Sequence, residues 1–237
     1  MDGDAGLERL KNTRYPGRGI VIGQTQDAKH FVQVYWIMGR SATSRNRVFV
    51  SEGDWVKTDT VDKSQQVDPL TLYYPVKVWQ QAHLVSNGDQ TDTIYEALET
   101  GGSFESALMG RTFEPDGPNF TPRISGIVNL SCKAHAYQLA ILKRVGGDAR
   151  YCCRQFFNFE TAISGVGHCV TTYRDDGSPL PSFEGEPFLV ALPGDLNEVA
   201  HNFWHLLDAE NRVSMLAKFI EKASGRSTLL IVNKFGA

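Results

Sequence analysis

The chain has 237 residues and a mass of 26.3 kDa, a length that favours one domain or at most two small ones. Hydrophobic residues make up 41% and charged residues 22%, which is typical of a globular protein and argues against a disordered chain or a long coiled coil. Its 24 Lys and Arg residues against 27 Asp and Glu residues give a net charge of −3. The composition therefore supplies no broad basic surface for duplex nucleic acid.

The sequence contains no apolar run near the ~20 residues that a membrane-spanning helix needs. Its N-terminus, Met1-Asp2-Gly3-Asp4, is acidic, whereas a signal peptide begins with basic and apolar residues. Four cysteines are too few for a disulfide scaffold, and the adjacent pair Cys152-Cys153 does not have zinc-ligand spacing. We therefore expect a cytoplasmic protein with reduced thiols.

The N-terminal part of the chain predicts an extension followed by strands. Residues 1–14 have no clear periodicity and are predicted to form a tail or a short helix before a single domain at 15–237. Gly19–Gly23 and His30–Met38 are rich in strand-forming residues and flank a polar turn, which predicts a hairpin. The second run is apolar on both faces, which is typical of a strand covered on both sides. Further strands are predicted at 47–50, 72–79 and 81–86.

The middle of the chain changes to helical periodicity and then back to strands. A helix is predicted around Thr93–Leu98, with Thr91 or Asp92 as its N-cap, and a second helix near 103–109. Strands are predicted afterwards at 123–130, 136–144, 150–159 and 166–173. Residues 174–187 are rich in Asp, Gly, Pro and Ser and are predicted to form a long loop.

The C-terminal part predicts a strand, two helices and a last strand. After a strand at 188–192, Asp195 and Glu198 form a capping box that predicts a helix to about Asp208. Residues 211–223 are predicted to form another helix that ends at Gly225, and 229–232 the last strand. Groups of strands alternating with pairs of helices predict an α+β fold with central sheets and outer helices.

Three polar segments contain side chains suited to binding an anionic ligand. Residues 39–47, GRSATSRNR, offer three guanidinium groups for a phosphate or a developing oxyanion. Residues 85–94, VSNGDQTDTI, place a tight turn before a helix N-terminus, where free backbone N–H groups can hold an anion. Residues 114–124, EPDGPNFTPRI, contain three prolines that would hold their polar side chains rigidly. Taken singly, each segment is equally compatible with a solvated loop, a capped turn or a structural ion pair.

Taken together, the segments carry motifs that occur in a family-like order and spacing. These motifs are Tyr15-x-Gly17-Arg18, Arg40-Ser41 followed by Asn46-Arg47, VSNGxxTDTI at 85–94, and Asn119…Thr121-Pro122-Arg123-Ile124. In this set of motifs the chain resembles the archaeal-type IMP cyclohydrolases. The resemblance is specific from Tyr15 to about Ile124 and thinner beyond, where it depends on Thr171-Thr172-Tyr173.

The resemblance implies a fold and a reaction. The fold is a four-layer αββα sandwich resembling that of the N-terminal nucleophile hydrolases, in agreement with the predicted order of elements. The reaction closes the ring of 5-formamidoimidazole-4-carboxamide ribotide (FAICAR) to give inosine monophosphate (IMP) and water, the last step of purine biosynthesis. The family is not known to need a metal or an organic cofactor. A purine ribonucleotide is therefore the expected small-molecule partner, and a homo-oligomer the expected assembly.

The resemblance also implies which residues act. Aligned on the motifs, Arg47, Tyr73 and Glu114 fall on the family's catalytic arginine, tyrosine and glutamate. Arg47 and Tyr73 would contact the formyl oxygen, while Glu114 would orient or deprotonate the carboxamide. The implied binding shell for base, ribose and phosphate consists of Arg18, Arg40, Asn87, Thr91, Asp92, Asn119 and Arg123.

Two other functions remain open at this point. Amide hydrolysis on the same scaffold would need a free N-terminal Cys, Ser or Thr as nucleophile, and Thr13 is the nearest candidate before the first strand. A non-catalytic purine-nucleotide-binding protein would keep the binding pocket without turnover. Intact mass would reveal processing of the chain, and IMP binding without ring closure would identify the binding protein.

Overall fold

A computed structural model describes residues 3–65 and 67–236. Met1 and Asp2, which belong to the predicted N-terminal extension, and Ala237 lie outside the described residues. The helices are α1 (Gly3–Asn12), α2 (Ala42–Arg45), α3 (Gln90–Glu99), α4 (Phe104–Met109) and α5 (Leu196–Leu206), with a 3-10 helix at Pro69–Thr71. Within the described ranges, no helix is both long and apolar enough to cross a membrane.

The described residues form thirteen strands. The first seven are β1 (Gly19–Gln24), β2 (His30–Met38), β3 (Val48–Glu52), β4 (Trp55–Asp59), β5 (Val76–Trp79), β6 (Ala82–Ser86) and β7 (Arg123–Asn129). The others are β8 (Tyr137–Val145), β9 (Asp148–Phe159), β10 (Val166–Thr171), β11 (Phe188–Ala191), β12 (Arg212–Glu221) and β13 (Ser227–Asn233).

These strands form two antiparallel sheets. A six-stranded sheet has the order β11-β10-β1-β2-β12-β13, and a seven-stranded sheet has the order β3-β4-β5-β6-β7-β8-β9. The predicted hairpin is present, since β1 and β2 pair antiparallel with Val21 opposite Val34. The predicted α+β class is therefore confirmed.

Buried apolar side chains form three clusters that separate the layers. The first fills the space between the sheets and includes Tyr35 from one sheet and Leu139 from the other. The second covers the outer face of the six-stranded sheet, where Trp36 stacks on Phe203 of α5 with ring centroids 6.4 Å apart. The third lies between the seven-stranded sheet and helices α3 and α4, and includes Ile94. Helices thus pack on the outer face of each sheet. The apolar core lies between the two sheets and between each sheet and its helices.

The N-terminal segment folds as α1 and packs on the six-stranded sheet. Leu10 is 1% exposed within the outer apolar cluster of that sheet. Gly6 lies so close to β11 that an added Cβ would stand 1.8 Å from the carbonyl oxygen of Leu189. The glycine is therefore needed for the close approach of helix to strand.

The predicted helix at 211–223 is wrong, because this segment forms β12. The strand lies between β2 and β13 and is buried on both faces. Met215 and Ala217 belong to the outer apolar cluster, whereas Leu216 and Ile220 lie between the sheets. Because both faces are apolar, the two-residue alternation of a strand is hidden in the sequence.

Smaller differences concern one strand and one helix cap. The strand β4 was not predicted, although it pairs with β3 along its whole length. Helix α3 has Asp89 as its N-cap residue, so the predicted cap at Thr91 or Asp92 is wrong. Asp195 and Glu198 do form the predicted capping box of α5.

Candidate active site

A cavity of about 350 Å³ lies where loops from several strands meet, within the range of about 300–1,000 Å³ typical of small-molecule sites. Its walls come from the segment before β1, the α2 loop after β2, the 3-10 helix, the loop before β7 and the segment after β10. The lining residues are Tyr15, Arg18, Met38, Arg40, Ser41, Ser44, Arg47, Asp68, Leu70, Thr71, Glu114, Asp116, Asn119, Thr121, Tyr173 and Leu180. The cavity thus collects three arginines and three carboxylates.

Five of the ten residues predicted from the sequence line this cavity. They are Arg18, Arg40, Arg47, Glu114 and Asn119. Distant motifs of the sequence therefore meet at one place. The other five lie behind the cavity wall or beside a neighbouring cavity, as described below.

Arg47 is held in place by backbone carbonyl groups. Its Nε donates to the carbonyl of Ser44 at 2.7 Å and its Nη2 to the carbonyl of Met38 at 2.9 Å. The side chain is 2% exposed, and Nη1 has no hydrogen-bond partner among the described residues. Burial and the nearby charge of Arg18 lower its pKa, although a guanidinium remains a cation at physiological pH. One nitrogen of a fixed cation is thus left free to donate.

Glu114 is a buried carboxylate beside a cation. It is 2% exposed, its Oε2 lies 3.4 Å from Nη2 of Arg18, and its Oε1 accepts from Nδ2 of Asn87 at 3.4 Å. Burial raises the pKa of Glu114 to about 7, against the opposing effects of Arg18 and Arg123. A carboxyl group that titrates near neutral pH can both accept and return a proton, as general acid–base catalysis requires.

Asn87 lies behind Glu114 and joins two segments of backbone. Its Oδ1 accepts from the backbone N–H of Ile124 at 2.8 Å, and its Nδ2 donates to the carbonyl of Pro122 at 2.9 Å. Asn87 is fully buried. It therefore fixes the start of β7 and the loop that carries Glu114 against the end of β6.

Arg123 at the start of β7 and Thr91 on α3 reinforce the same junction. Arg123 Nη1 donates to Asp89 at 2.6 Å and to the side-chain oxygen of Gln90 at 2.7 Å. The hydroxyl of buried Thr91 donates to the carbonyl of Gly88 at 3.1 Å. Both residues hold the N-terminus of α3, and neither is among those that line the cavity.

Tyr73 lies beside the cavity and contacts a residue that the sequence analysis did not single out. Its hydroxyl is 2.7 Å from that of Tyr35 on β2, and both tyrosines are buried. Arg18 and Arg47 interact electrostatically with both phenol groups. The tyrosine pair therefore stands next to Arg18 and Arg47 of the cavity wall.

A neighbouring cavity of about 360 Å³ is lined by Tyr73 and Asp92, among others. Asp92 Oδ1 is 2.8 Å from Nζ of Lys77, and that ammonium lies 4.5 Å from the ring centroid of Trp55. The structure therefore places Asp92 outside the group of residues around Glu114, with Tyr73 between the two cavities.

Several further residues of the cavity wall were not predicted as site residues. The hydroxyls of Thr121 and Tyr173 are 2.5 Å apart, and Thr121 also donates to Asp116 through its hydroxyl and its backbone N–H. Thr121, Tyr173 and Tyr15 stand inside the motifs quoted above, so the signal was present. Asp116 has no such signal, and neither do Asp68, Leu70 and Thr71 of the 3-10 helix segment.

The loop at 174–187 reaches the cavity through two contacts. Arg40 Nη1 donates to Asp176 Oδ1 at 2.5 Å and to the carbonyl of Gly177 at 2.9 Å. The backbone N–H of Leu180 donates to Asn119 Oδ1 at 3.1 Å. The loop therefore holds two of the predicted binding residues at the rim.

The family model for IMP cyclohydrolase-like proteins matches residues 15–224, most of the chain. The chain belongs to the IMP cyclohydrolase-like family. The match extends a hundred residues beyond the motifs that carry the resemblance in the sequence, so it also includes β12 and the loop at 174–187. Family membership therefore applies to both sheets and to every segment that lines the cavity.

Curated relatives of the IMP cyclohydrolase-like family come from archaea. The chain is 30% identical over 120 residues to an IMP cyclohydrolase of Methanococcus aeolicus, in an alignment covering 48% of this chain and 58% of that protein. It is 32% identical over 123 residues to an IMP cyclohydrolase of Methanothrix thermoacetophila, with the same coverage. A third, from Methanopyrus kandleri, is 32% identical over 119 residues and is covered to 59%. The chain thus matches less than two thirds of the length of these relatives.

Metal binding and amide hydrolysis would each need groups of a particular kind in the described ranges. No group of three or more His, Cys, Asp or Glu side chains is arranged there to hold a metal ion. Thr13, the candidate nucleophile for amide hydrolysis, donates its hydroxyl to the carbonyl of Arg9 at 2.7 Å and is not among the cavity-lining residues.

Proposed function

We propose that the protein is an IMP cyclohydrolase, an enzyme that closes the ring of FAICAR to give IMP and water. One observation carries the proposal: Arg47 and Glu114, far apart in the sequence, line a single cavity of nucleotide-binding size in a member of the IMP cyclohydrolase-like family.

Ring closure sets four demands. The carboxamide nitrogen of FAICAR attacks the formyl carbon, negative charge develops on the formyl oxygen, and that oxygen later departs as water. One proton leaves the attacking nitrogen and a second leaves the formamido nitrogen as the C–O bond breaks, and these two protons convert the formyl oxygen into the departing water. The site therefore needs an oxyanion donor, a proton acceptor, a proton donor and a grip that keeps the formyl group folded towards the amide.

Arg47 and Tyr73 are assigned to the formyl oxygen. The free Nη1 of Arg47 donates to the developing oxyanion, and the backbone carbonyls that hold the other two nitrogens fix its direction. Because the donor is already oriented, little reorganisation accompanies the reaction. Tyr73 passes a proton to the departing hydroxyl and takes up the proton that leaves the formamido nitrogen, while the hydrogen bond to Tyr35 orients its hydroxyl.

Glu114 is assigned to the carboxamide. Its ionised form accepts the proton that leaves the attacking nitrogen, and its pKa of about 7 keeps a large ionised fraction at neutral pH. Arg18, 3.4 Å away, stabilises that ionised form. Asn87 holds the carboxylate from behind, so the base is supported on both sides.

The remaining predicted residues divide into two groups. Arg18, Arg40 and Asn119 line the cavity and are assigned to contacts with the ribotide, with Arg40 near the rim suited to the phosphate. Asn87, Thr91 and Arg123 position the wall without facing the substrate. Asp92 would contact the substrate only if the substrate extends into the neighbouring cavity.

Further properties follow as parts of the same proposal. We propose a four-layer sandwich similar to the N-terminal nucleophile hydrolases, a homo-oligomeric assembly, and a cytoplasmic location, where the four free cysteines would stay reduced. The helix-covered pair of antiparallel sheets supports the first of these. Family membership supports the second.

The experiment mixes purified protein, chelator and FAICAR and follows IMP formation against the uncatalysed rate. The matched variants are Arg47→Met, which removes the proposed oxyanion donor, and Arg226→Met, which removes an exposed arginine. We expect rapid IMP formation that Arg47→Met abolishes and Arg226→Met leaves unchanged. If IMP binds to the protein while FAICAR stays open, the protein is a nucleotide-binding protein and the proposal is wrong.

A further inference from the structure

A polar cluster interrupts the apolar core between the two sheets. Lys218 on β12 stands opposite Gln33 on β2, and Gln33 Nε2 donates to the carbonyl of His83 on β6 of the other sheet at 3.0 Å. All three residues are buried, with Lys218 only 1% exposed. In the described part of the molecule, the Nζ of Lys218 and the Oε1 of Gln33 have no hydrogen-bond partner.

A cleft leads from the surface to this lysine. It has a volume of about 240 Å³ and is lined by Lys218, by Gly53 and Asp54 from the turn between β3 and β4, and by residues 227–229 at the start of β13. The cleft therefore lies at the open edge of the sandwich, between edge strands of the two sheets.

This cleft is separate from the candidate active site. No residue lines both cavities. Met38 lines the active-site cavity, and Gln33, the neighbour of Lys218, lies five residues before it on β2, a distance of about 17 Å along a strand. A ligand in the cleft would therefore not occupy the FAICAR site.

A buried ammonium without a partner is costly for the folded protein. Burial lowers the pKa of Lys218 to about 8, partly offset by the charge of Asp54. His83, the other titratable group nearby, has its pKa lowered to about 3 by burial and by the charge of Lys218, so it stays neutral. Lys218 is thus the cation of this cluster, and its ammonium finds no acceptor among residues 3–65 and 67–236.

We propose that the cleft binds a small monocarboxylate, whose carboxylate group accepts hydrogen bonds from the ammonium of Lys218. The ligand enters between the β3–β4 turn and β13, and its carboxylate end reaches the polar cluster. Ser227 and Leu229 lie on the face of β13 that carries Lys218 on its partner strand, and Leu229 stands opposite Lys218. Ser227 offers a further hydroxyl donor at the cleft, and Leu229 supplies an apolar surface for a short hydrocarbon chain.

Charge and size select this class of ligand. Among the residues that line the cleft, Lys218 is a buried cation whereas Asp54 is exposed to solvent, so a dianion such as phosphate would carry one more negative charge than the lysine can balance. A monoanion balances the lysine and leaves Asp54 to solvent. The volume lies below the roughly 300 Å³ at which drug-sized sites begin, which favours a ligand of few carbon atoms.

The first test titrates propionate into the full chain by calorimetry. We compare the wild type with Lys218→Met, which keeps the length of the side chain without its charge, and with Lys63→Met, which removes an exposed lysine. We expect propionate to bind to the wild type and to Lys63→Met alike, at least tenfold more weakly to Lys218→Met, and more tightly than inorganic phosphate. Equal binding to all three proteins, no binding, or a preference for phosphate would each overturn the proposal.

A second test uses the wild type alone, so it does not depend on how the variants fold. Reductive methylation labels lysines, and mass spectrometry reports the modified fraction at each position. We expect propionate to slow the labelling of Lys218 at least fivefold while that of Lys63 is unchanged. If propionate leaves the labelling rate of Lys218 unchanged, the proposal is wrong and the cleft holds only water.

Discussion

The hydroxyl groups of Tyr35 and Tyr73 lie 2.7 Å apart, and this hydrogen bond joins β2 of the six-stranded sheet to the segment before β5 of the seven-stranded sheet. Burial and the proximity of Tyr73 raise the pKa of Tyr35, so its proton is retained at neutral pH. The pair stands beside Arg18 and Arg47. The hydrogen-bonded pair next to two cations thus places the Tyr73 hydroxyl, oriented by Tyr35, beside the proposed leaving group.

Tyr73→Phe is expected to lower kcat for IMP formation by about a hundredfold, the usual effect of removing one donor from an oxyanion or leaving group. KM should change little, because the proposed contact strengthens only in the transition state. Tyr35→Phe should have a smaller effect, since Tyr73 would keep its own proton. Steady-state kinetics of the two variants measure both parameters.

The matched control is Tyr137→Phe. Tyr137 is also fully buried between the sheets, and its hydroxyl is hydrogen-bonded to His168 at 2.6 Å, away from the cavity-lining residues. It should keep the wild-type kcat. Full activity of Tyr73→Phe would remove Tyr73 from the mechanism, and equal losses in the Tyr73 and Tyr137 variants would point to a general effect of burial.

The rate of ring closure should depend on the ionisation of Glu114. Because its pKa is about 7 and its ionised form is the proposed base, kcat/KM should rise between pH 6 and pH 8 with a midpoint near pH 7. Glu114→Gln should lose most of the activity and this pH dependence, whereas Glu105→Gln, a change on α4, should keep both. A profile that is flat across this range would contradict the role of Glu114 as base.

Glu114 should also make the free energy of unfolding depend on pH. Its pKa is raised from 4.5 to about 7 in the folded protein, so between these values the folded state binds more protons than the unfolded state. Stability from this group is therefore present below pH 4.5 and is lost as the pH rises through 7. Glu114→Gln stays neutral and escapes this loss. Urea denaturation should find the variant more stable than the wild type by about 3 kcal/mol at pH 8, with no gain at pH 4.5. The opposite order would show that Glu114 is stabilised as an ion.

The packing of α1 on β11 gives a prediction about stability. Gly6→Ala would place a Cβ 1.8 Å from the carbonyl oxygen of Leu189, so helix and strand must separate, at a cost of about 1–3 kcal/mol. Thermal denaturation should show a lower Tm for Gly6→Ala than for Glu8→Ala, a change on the exposed face of the same helix. An unchanged Tm in Gly6→Ala would mean that α1 contributes little to the fold.

Much of the fold could be predicted because local signals agreed with tertiary structure. The β1–β2 hairpin has strand-forming runs around a polar turn, and α5 begins at a capping box whose two side chains act as the sequence predicts. The strand β12 could not be recognised, because Met215, Leu216 and Ala217 are good helix formers and the strand is buried on both faces. Only its position between β2 and β13 decides its conformation.

The candidate site was predictable where polar residues stand in motifs. Arg18, Arg47 and Glu114 are separated by up to 96 residues, and family resemblance was needed to bring them to one place. Tyr35 could not be found, because it occupies an apolar position in a buried strand and only its contact with Tyr73 marks it. Lys218 was hidden for the same reason, inside a segment whose conformation was predicted wrongly.

Ring closure is followed directly by ¹³C NMR of FAICAR labelled in its formyl group, with catalytic amounts of protein and excess chelator. We expect the formyl signal to disappear and to reappear as the C2 carbon of the IMP ring in the wild type but not in Arg47→Met. Appearance of ¹³C-formate would indicate amide hydrolysis instead. A formyl signal that persists at the uncatalysed rate would contradict the proposed ring closure.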